Sequence, residues 1–292
     1  MDKRGSGIIF VILSLAFVLF SLAPTLNEFS RRGALRPNRQ FELVHNFPTD
    51  YNFYLSRIRQ GLEGRWTVVE RYTSEPHAGS FIHIFYLAFG QAGRLMGLSP
   101  DQSWIVYHAS RTLLGAVLLL LIAWIAQKSF PSFGWACIAF LLMVTASTWP
   151  KLVWFGGGWR FGGYMSWWSL MDSLQRITFI PHILAGQALT LLLIVSLADT
   201  KSFTRGASWI LWGIAAFILG IIFPPGMLFV GVVTMILVGL SWIVQAKRNV
   251  SRAWIGAEVI PRLVIASMGV PALLYLQLMA TFYPWKRLAE FD

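Results

Sequence analysis

From Gly7 to Leu26 the chain runs twenty residues without a charged side chain. That is the length of helix that crosses the roughly 30 Å hydrocarbon core of a bilayer. Comparable apolar runs recur at Ser103–Ala126, Phe133–Thr148, Thr178–Leu197, Trp209–Phe223, Gly226–Val244 and Val259–Phe282. Seven such runs in 292 residues read as an integral membrane protein. Charged residues make up 13% of the chain, against about 25% in an ordinary soluble domain. The expected fold is all-α: one polytopic membrane domain over residues 1–292, with about seven transmembrane helices. It comprises a first helix at 7–26, an external loop at 27–102 carrying interfacial helices, and a helical bundle at 103–282. The single cysteine, Cys137, lies in an apolar run and reads as a small core residue, so no disulfide framework is expected.

Asp2, Lys3 and Arg4 precede the first run, as in a signal peptide. The run is too long for one and no small-residue cleavage site follows, so it reads as a retained signal anchor. The net charge of +11 fits Lys and Arg collected on cytoplasmic loops; no nucleic-acid motif is present and no nucleic-acid partner is expected. An eighth apolar segment, Ser80–Leu98, contains His83, Gln91 and Arg94. If it stays in the interface or enters only partway, the short basic segments at Lys3/Arg4, Lys128, Lys201/Arg205 and Lys247/Arg248/Arg252 share the cytoplasmic side with the N-terminus. The first loop, the glycine-rich loop 150–177, the Phe223-Pro224-Pro225-Gly226 break and the tail from Tyr283 would then all face outward. The starts of the following spans would face outward with them, bringing His108 and Arg111 to the same side.

Residues 27–79 of the first loop hold six of the 13 acids and eight arginines but no lysine. A guanidinium grips phosphate through a planar fork, so Arg57 and Arg59 are candidate phosphate ligands; headgroup contacts and local ion pairs explain the same composition. Residues 49–61 read as a short amphipathic helix capped by Thr49 or Asp50 and ended by Gly61 or Gly64. Its apolar stripe would be Tyr51, Tyr54, Leu55, Ile58 and Leu62. Asp50 at the helix start would be favoured in its charged form. Glu75 and His77, two residues apart, are hydrogen-bonding groups or weak candidates for a divalent metal. Residues 154–164 combine five glycines with aromatics around Arg160, a pattern that suits a sugar face or the membrane interface. Asp172 and Arg176 are spaced to pair on a helix, and His182 opens the next apolar run.

The order of these parts resembles the N-terminal module of the GT-C superfamily of polytopic membrane glycosyltransferases, and is similar to uncharacterised bacterial members. The residues carrying the resemblance are Phe47-Pro48-Thr49-Asp50-Tyr51-Asn52-Phe53-Tyr54, Tyr72-Thr73-Ser74-Glu75-Pro76-His77, Gly156-Gly157-Gly158-Trp159 and Arg176-Ile177-Thr178-Phe179-Ile180-Pro181-His182. The resemblance implies transfer of a sugar from a polyprenyl-phosphate-linked donor to an acceptor at the outer face of a bacterial plasma membrane. It implies Asp50 as the acid acting on the acceptor, and Glu75 as a second acid with His77 as metal or phosphate partner. Arg160, Arg176 and His182 would contact donor phosphate, with Asp172 beside them. Residues 283–292 form a tail, where many members of the superfamily continue with further spans or an external domain. The rival readings are a membrane transporter and a non-catalytic, lipid-binding assembly subunit.

Overall fold

The computed structural model describes residues 3–34, 43–45, 48–146, 151–155, 157–162, 176–199, 208–248 and 254–291. Asp172 lies outside them. The described elements are α1 (Lys3–Ser30), α2 (Pro48–Leu62), α3 (Ile84–Leu95), α4 (Ser103–Ser129), α5 (Phe133–Thr145), β1 (Lys151–Phe155), β2 (Gly158–Gly162), α6 (Pro181–Ala198), α7 (Ser208–Ile222), α8 (Pro224–Arg248), α9 (Ile260–Ser267), α10 (Val270–Met279) and α11 (Trp285–Phe291). A π-helical turn, Ile255–Val259, leads into α9.

Five stretches are long and apolar enough to cross a bilayer: Gly5–Ser30, Pro100–Ser129, Pro181–Ala198, Pro224–Gln245 and Ile255–Met279. Two further expected spans are the shorter apolar helices Phe133–Thr145 and Ser208–Ile222. At about 1.5 Å per residue each falls short of the ~30 Å core. Large apolar side chains point away from the protein along these helices, among them Leu19, Leu113, Leu211, Met235 and Leu274, each more than 60% exposed. Only lipid makes such a surface favourable, and the chain is a multi-pass membrane protein. α3, the core of the ambiguous Ser80–Leu98 segment, has 12 residues and is too short to cross.

The all-α expectation needs one amendment. Part of the glycine-rich loop forms an antiparallel hairpin in which Lys151 pairs with Gly162 and Phe155 with Gly158. Gly157 turns it with φ +78°, a conformation that costs a glycine nothing.

The chain builds two compact units that interleave in sequence: residues 1–53 with 104–184, and residues 54–103 with 185–292. In the first, α1, α4 and α5 pack around Phe10, Val18, Leu119, Ala123, Phe140 and Val144. Phe10 meets Phe133 and Phe140 edge-to-face at 5.8 and 5.5 Å. In the second, Leu193, Leu197, Ala216, Leu219, Met227, Val230 and Ile265 form the core of α6–α9. Pro224 cannot continue α7, so the chain breaks at Phe223 and restarts as α8.

The amphipathic helix expected at 49–61 is α2, Pro48–Leu62. Gly64 terminates it: φ is +89°, Gly64 N–H donates to Gly61 O, and Arg65 N–H donates to Gln60 O (3.0 Å). Gly61 has a different task. A Cβ there would overlap Leu87 O, and one on Gly90 would overlap Ile58 O, so the two glycines let the α2 and α3 backbones touch. The presumed tail is a folded element: Trp285 of α11 is buried against Val68 and Leu87.

Candidate functional site

Each unit holds a fully buried arginine, Arg111 in the first and Arg57 in the second, and the two charges are met in opposite ways. In the first unit Arg111, nine residues into α4, is 1% exposed. Its Nη2 donates to Thr25 Oγ1 (2.6 Å) and its Nη1 to Thr178 O (2.7 Å) and His45 Nε2 (2.8 Å). Its Nε donates to His108 Nδ1 (3.0 Å). No ion pair to Arg111 occurs among the described residues, so a buried cation is held wholly by neutral acceptors.

These bonds fix both histidines. Arginine can only donate, so His45 Nε2 and His108 Nδ1 are acceptors and each ring carries its proton on the other nitrogen. His45 Nδ1–H therefore points to Tyr107 Oη (3.1 Å), and His108 Nε2–H to Leu43 O (3.2 Å) and Tyr51 Oη (3.3 Å). Tyr51 and Tyr107 meet edge-to-face at 5.0 Å. Thr178 Oγ1 continues the network to Ser21 Oγ (3.0 Å), whose own proton goes to Val18 O. The end of α1, the start of α4, the 43–45 segment, the first turns of α2 and the approach to α6 thus meet at one guanidinium.

Burial, then the Arg111 charge, then His108, hold His45 far below its ordinary 6.5. The unfolded chain takes up a proton at His45 as pH falls through 6.5 and the folded chain does not. This stability is therefore complete above pH 6.5 and lost progressively below it. Between pH 6 and 5 the wild type should lose about 1 kcal/mol more than His45→Asn. Thermal unfolding of the two proteins in the same detergent checks this, and parallel pH curves would refute it.

In the second unit Arg57 of α2 is 0% exposed and its Nη2 donates to Glu70 Oε2. Glu70 Oε1 accepts from Tyr72 N–H (3.1 Å), and Glu70 N–H donates to His77 Nε2 (2.8 Å). His77 Nδ1 faces Glu75 O (3.0 Å), so both ring nitrogens are spent on backbone. Gln60 adds a two-way bond to the Val69 backbone at 2.9 Å in each direction. The 65–80 segment is thereby stitched to α2. Thr73 Oγ1 meets Tyr283 Oη, and Tyr275 Oη accepts from Phe81 N–H (2.7 Å).

Among the sequence candidates, Asp50 lies half-buried in the first turn of α2, next to Tyr51 of the Arg111 network. Arg176 and His182 are half-buried and flank Thr178 of the same network. Arg160 is in β2 of that unit. Arg57, Arg59, Glu75 and His77 belong to the second unit, where Glu75 is exposed and Arg59, 53% exposed, pairs with Glu63 at 3.4 Å. A metal does not fit the candidate ligands: Glu75 meets His77 through its backbone oxygen. No group of three or more His, Cys, Asp or Glu suited to a metal occurs among the described residues.

Sequence reasoning missed His45, Tyr107 and Thr25. None sits in a recognisable motif, and only Arg111, an ionisable residue in an apolar run, pointed toward them. Comparison with protein-family models, curated proteins and solved structures found no match.

Proposed function

We propose that this chain is a GT-C-like glycosyltransferase. It moves a sugar from a polyprenyl-phosphate-linked donor to an acceptor at the outer face of a bacterial plasma membrane, with its N-terminus in the cytoplasm. One observation carries the reading. Tyr51 and Thr178, from two of the stretches that bear the resemblance, lie far apart in sequence and are joined through Arg111: Tyr51 by way of His108, and Thr178 directly. Asp50 is next to Tyr51 in sequence, and Thr178 stands between Arg176 and His182, which supports a reading in which these candidates serve one polar site.

In this reading Asp50 takes the proton of the attacking acceptor hydroxyl, whose oxygen bonds to the sugar's anomeric carbon as the bond to the donor phosphate breaks. Arg176 stabilises the charge left on the phosphate, with Arg160, His182 and Asp172 contributing to donor binding. The basic loops support the orientation. No step is routed through a metal.

Asp50→Asn tests the reading. The variant should fold and retain donor lipid while losing at least ~100-fold in sugar transfer, the ordinary contribution of a general base. The assay is transfer of labelled sugar from a polyprenyl-phosphate donor by the full chain in liposomes. Unchanged turnover would remove Asp50 from the catalytic role, and no wild-type turnover with any such donor would favour the assembly-subunit reading.

A further inference from the structure

The second unit carries a basic edge that the glycosyltransferase reading does not use. Three guanidinium groups converge on one carboxylate, that of Glu63: Arg59 Nε at 3.4 Å, Arg65 Nε at 3.9 Å, and Arg71 through both terminal nitrogens, Nη1 at 3.2 Å. A fourth, Arg94 of α3, lies over Gly64, where any Cβ would overlap its Nη1. The Schellman turn at Gly64 and the Gly61–Gly90 contact bring the ends of α2 and α3 together. Gln91 Nε2 ties them further by donating to Arg65 O (2.8 Å). Asp101 is within Coulombic range of Arg59. Even counting Asp101 with Glu63, the edge keeps an excess of two positive charges. Arg59, Arg65 and Arg71 are 53%, 49% and 36% exposed, so their forks are available to an anion.

Next to these cations in the chain stand highly exposed apolar side chains. Leu95 and Met96, directly after Arg94, are 89% and 79% exposed, and Trp66, directly after Arg65, is 65% exposed. A site for free phosphate has no use for an apolar rim. A phospholipid needs both parts: guanidinium forks for the phosphate, and Leu, Met and Trp for the glycerol and upper acyl region. We propose that the Arg59–Arg65–Arg71–Arg94 edge binds the headgroup of an anionic phospholipid, with Trp66, Leu95 and Met96 seated in the adjoining apolar layer. This site is independent of Asp50 and Arg111, so either proposal can fail alone.

The test uses the purified full chain in neutral detergent, following the unfolding midpoint as lipid is added. Phosphatidylglycerol should raise the midpoint more than phosphatidylcholine does at equal mole fraction. The combined Arg59→Gln, Arg65→Gln and Arg94→Gln variant should lose most of that difference. Leu95→Ser with Met96→Ser should reduce it, and Glu63→Gln, which removes the competing carboxylate, should enlarge it. Inorganic phosphate at the same concentration should not reproduce it. An undiminished difference in the triple variant, or an equal shift from inorganic phosphate, overturns the proposal. If the triple variant unfolds early without lipid, Glu63→Gln decides, and no gain in its phosphatidylglycerol response overturns the proposal.

Discussion

Glu70→Ala should destabilise the protein by about 3–5 kcal/mol, the cost of leaving one member of a buried ion pair alone. Arg57 has no exposed surface and the Glu70 side chain is 4% exposed, so water cannot replace the lost carboxylate. Burial, the largest influence, already pushes the Arg57 guanidinium below its usual range, and hydrogen bonding and charge from Glu70 oppose that push. The same substitution frees Tyr72 N–H and loosens the 65–80 segment. Arg57→Met combined with Glu70→Leu removes both charges and should recover most of the loss, because an apolar pair escapes the desolvation cost that the ion pair bears. Equilibrium unfolding in detergent, wild type against the single and double variants, measures both. A loss under about 1 kcal/mol for Glu70→Ala would mean that Arg57 is solvated in the folded variant instead of staying buried alone.

What could be read in the sequence follows bilayer thickness and local turn chemistry. α1, α4, α6 and α8 follow from apolar length alone, since no other solvent tolerates those runs. α2 is legible to within a residue or two because its stripe and its glycine stop are local signals. The hairpin was not, because its pairing depends on two strands finding each other, and glycines among aromatics describe a loop equally well. Arg57 and Arg59 show the same limit inside one helix. They are chemically identical and two residues apart, hence on nearly opposite faces, and only the segment covering one face decides which is buried. Gly61, offered as a helix stop, is instead the point where α3 crosses, a long-range fact with no local signature. His45 could not be singled out at all, since its role exists only through Arg111, Tyr107 and the fold between them.

Arg111→Met should cost about 3 kcal/mol, and the sign of that figure follows from two opposing effects. Removing the cation abolishes the expense of burying an unpaired charge in an apolar bundle, which favours the variant. Against this, Thr178 O, His45 Nε2 and His108 Nδ1 lose their donor together, at ~1–3 kcal/mol for each acceptor left buried without one. Moving the proton within either ring turns an unpaired acceptor into an unpaired donor, and for His108 it also gives up the bond to Leu43 O, so a tautomer change does not recover the loss. The 43–45 segment also loses its anchor on α4. Arg111→Lys separates charge from geometry. An ammonium keeps the positive charge but cannot span Thr25, His45, His108 and Thr178 with one planar fork, so it should restore only part of the stability. Backbone hydrogen exchange at 43–45 and at the start of α2 should rise in both variants, more in Met than in Lys. Unchanged exchange there would show that the segment is held by Tyr51 and Tyr107 packing, and that Arg111 rests on a frame built without it.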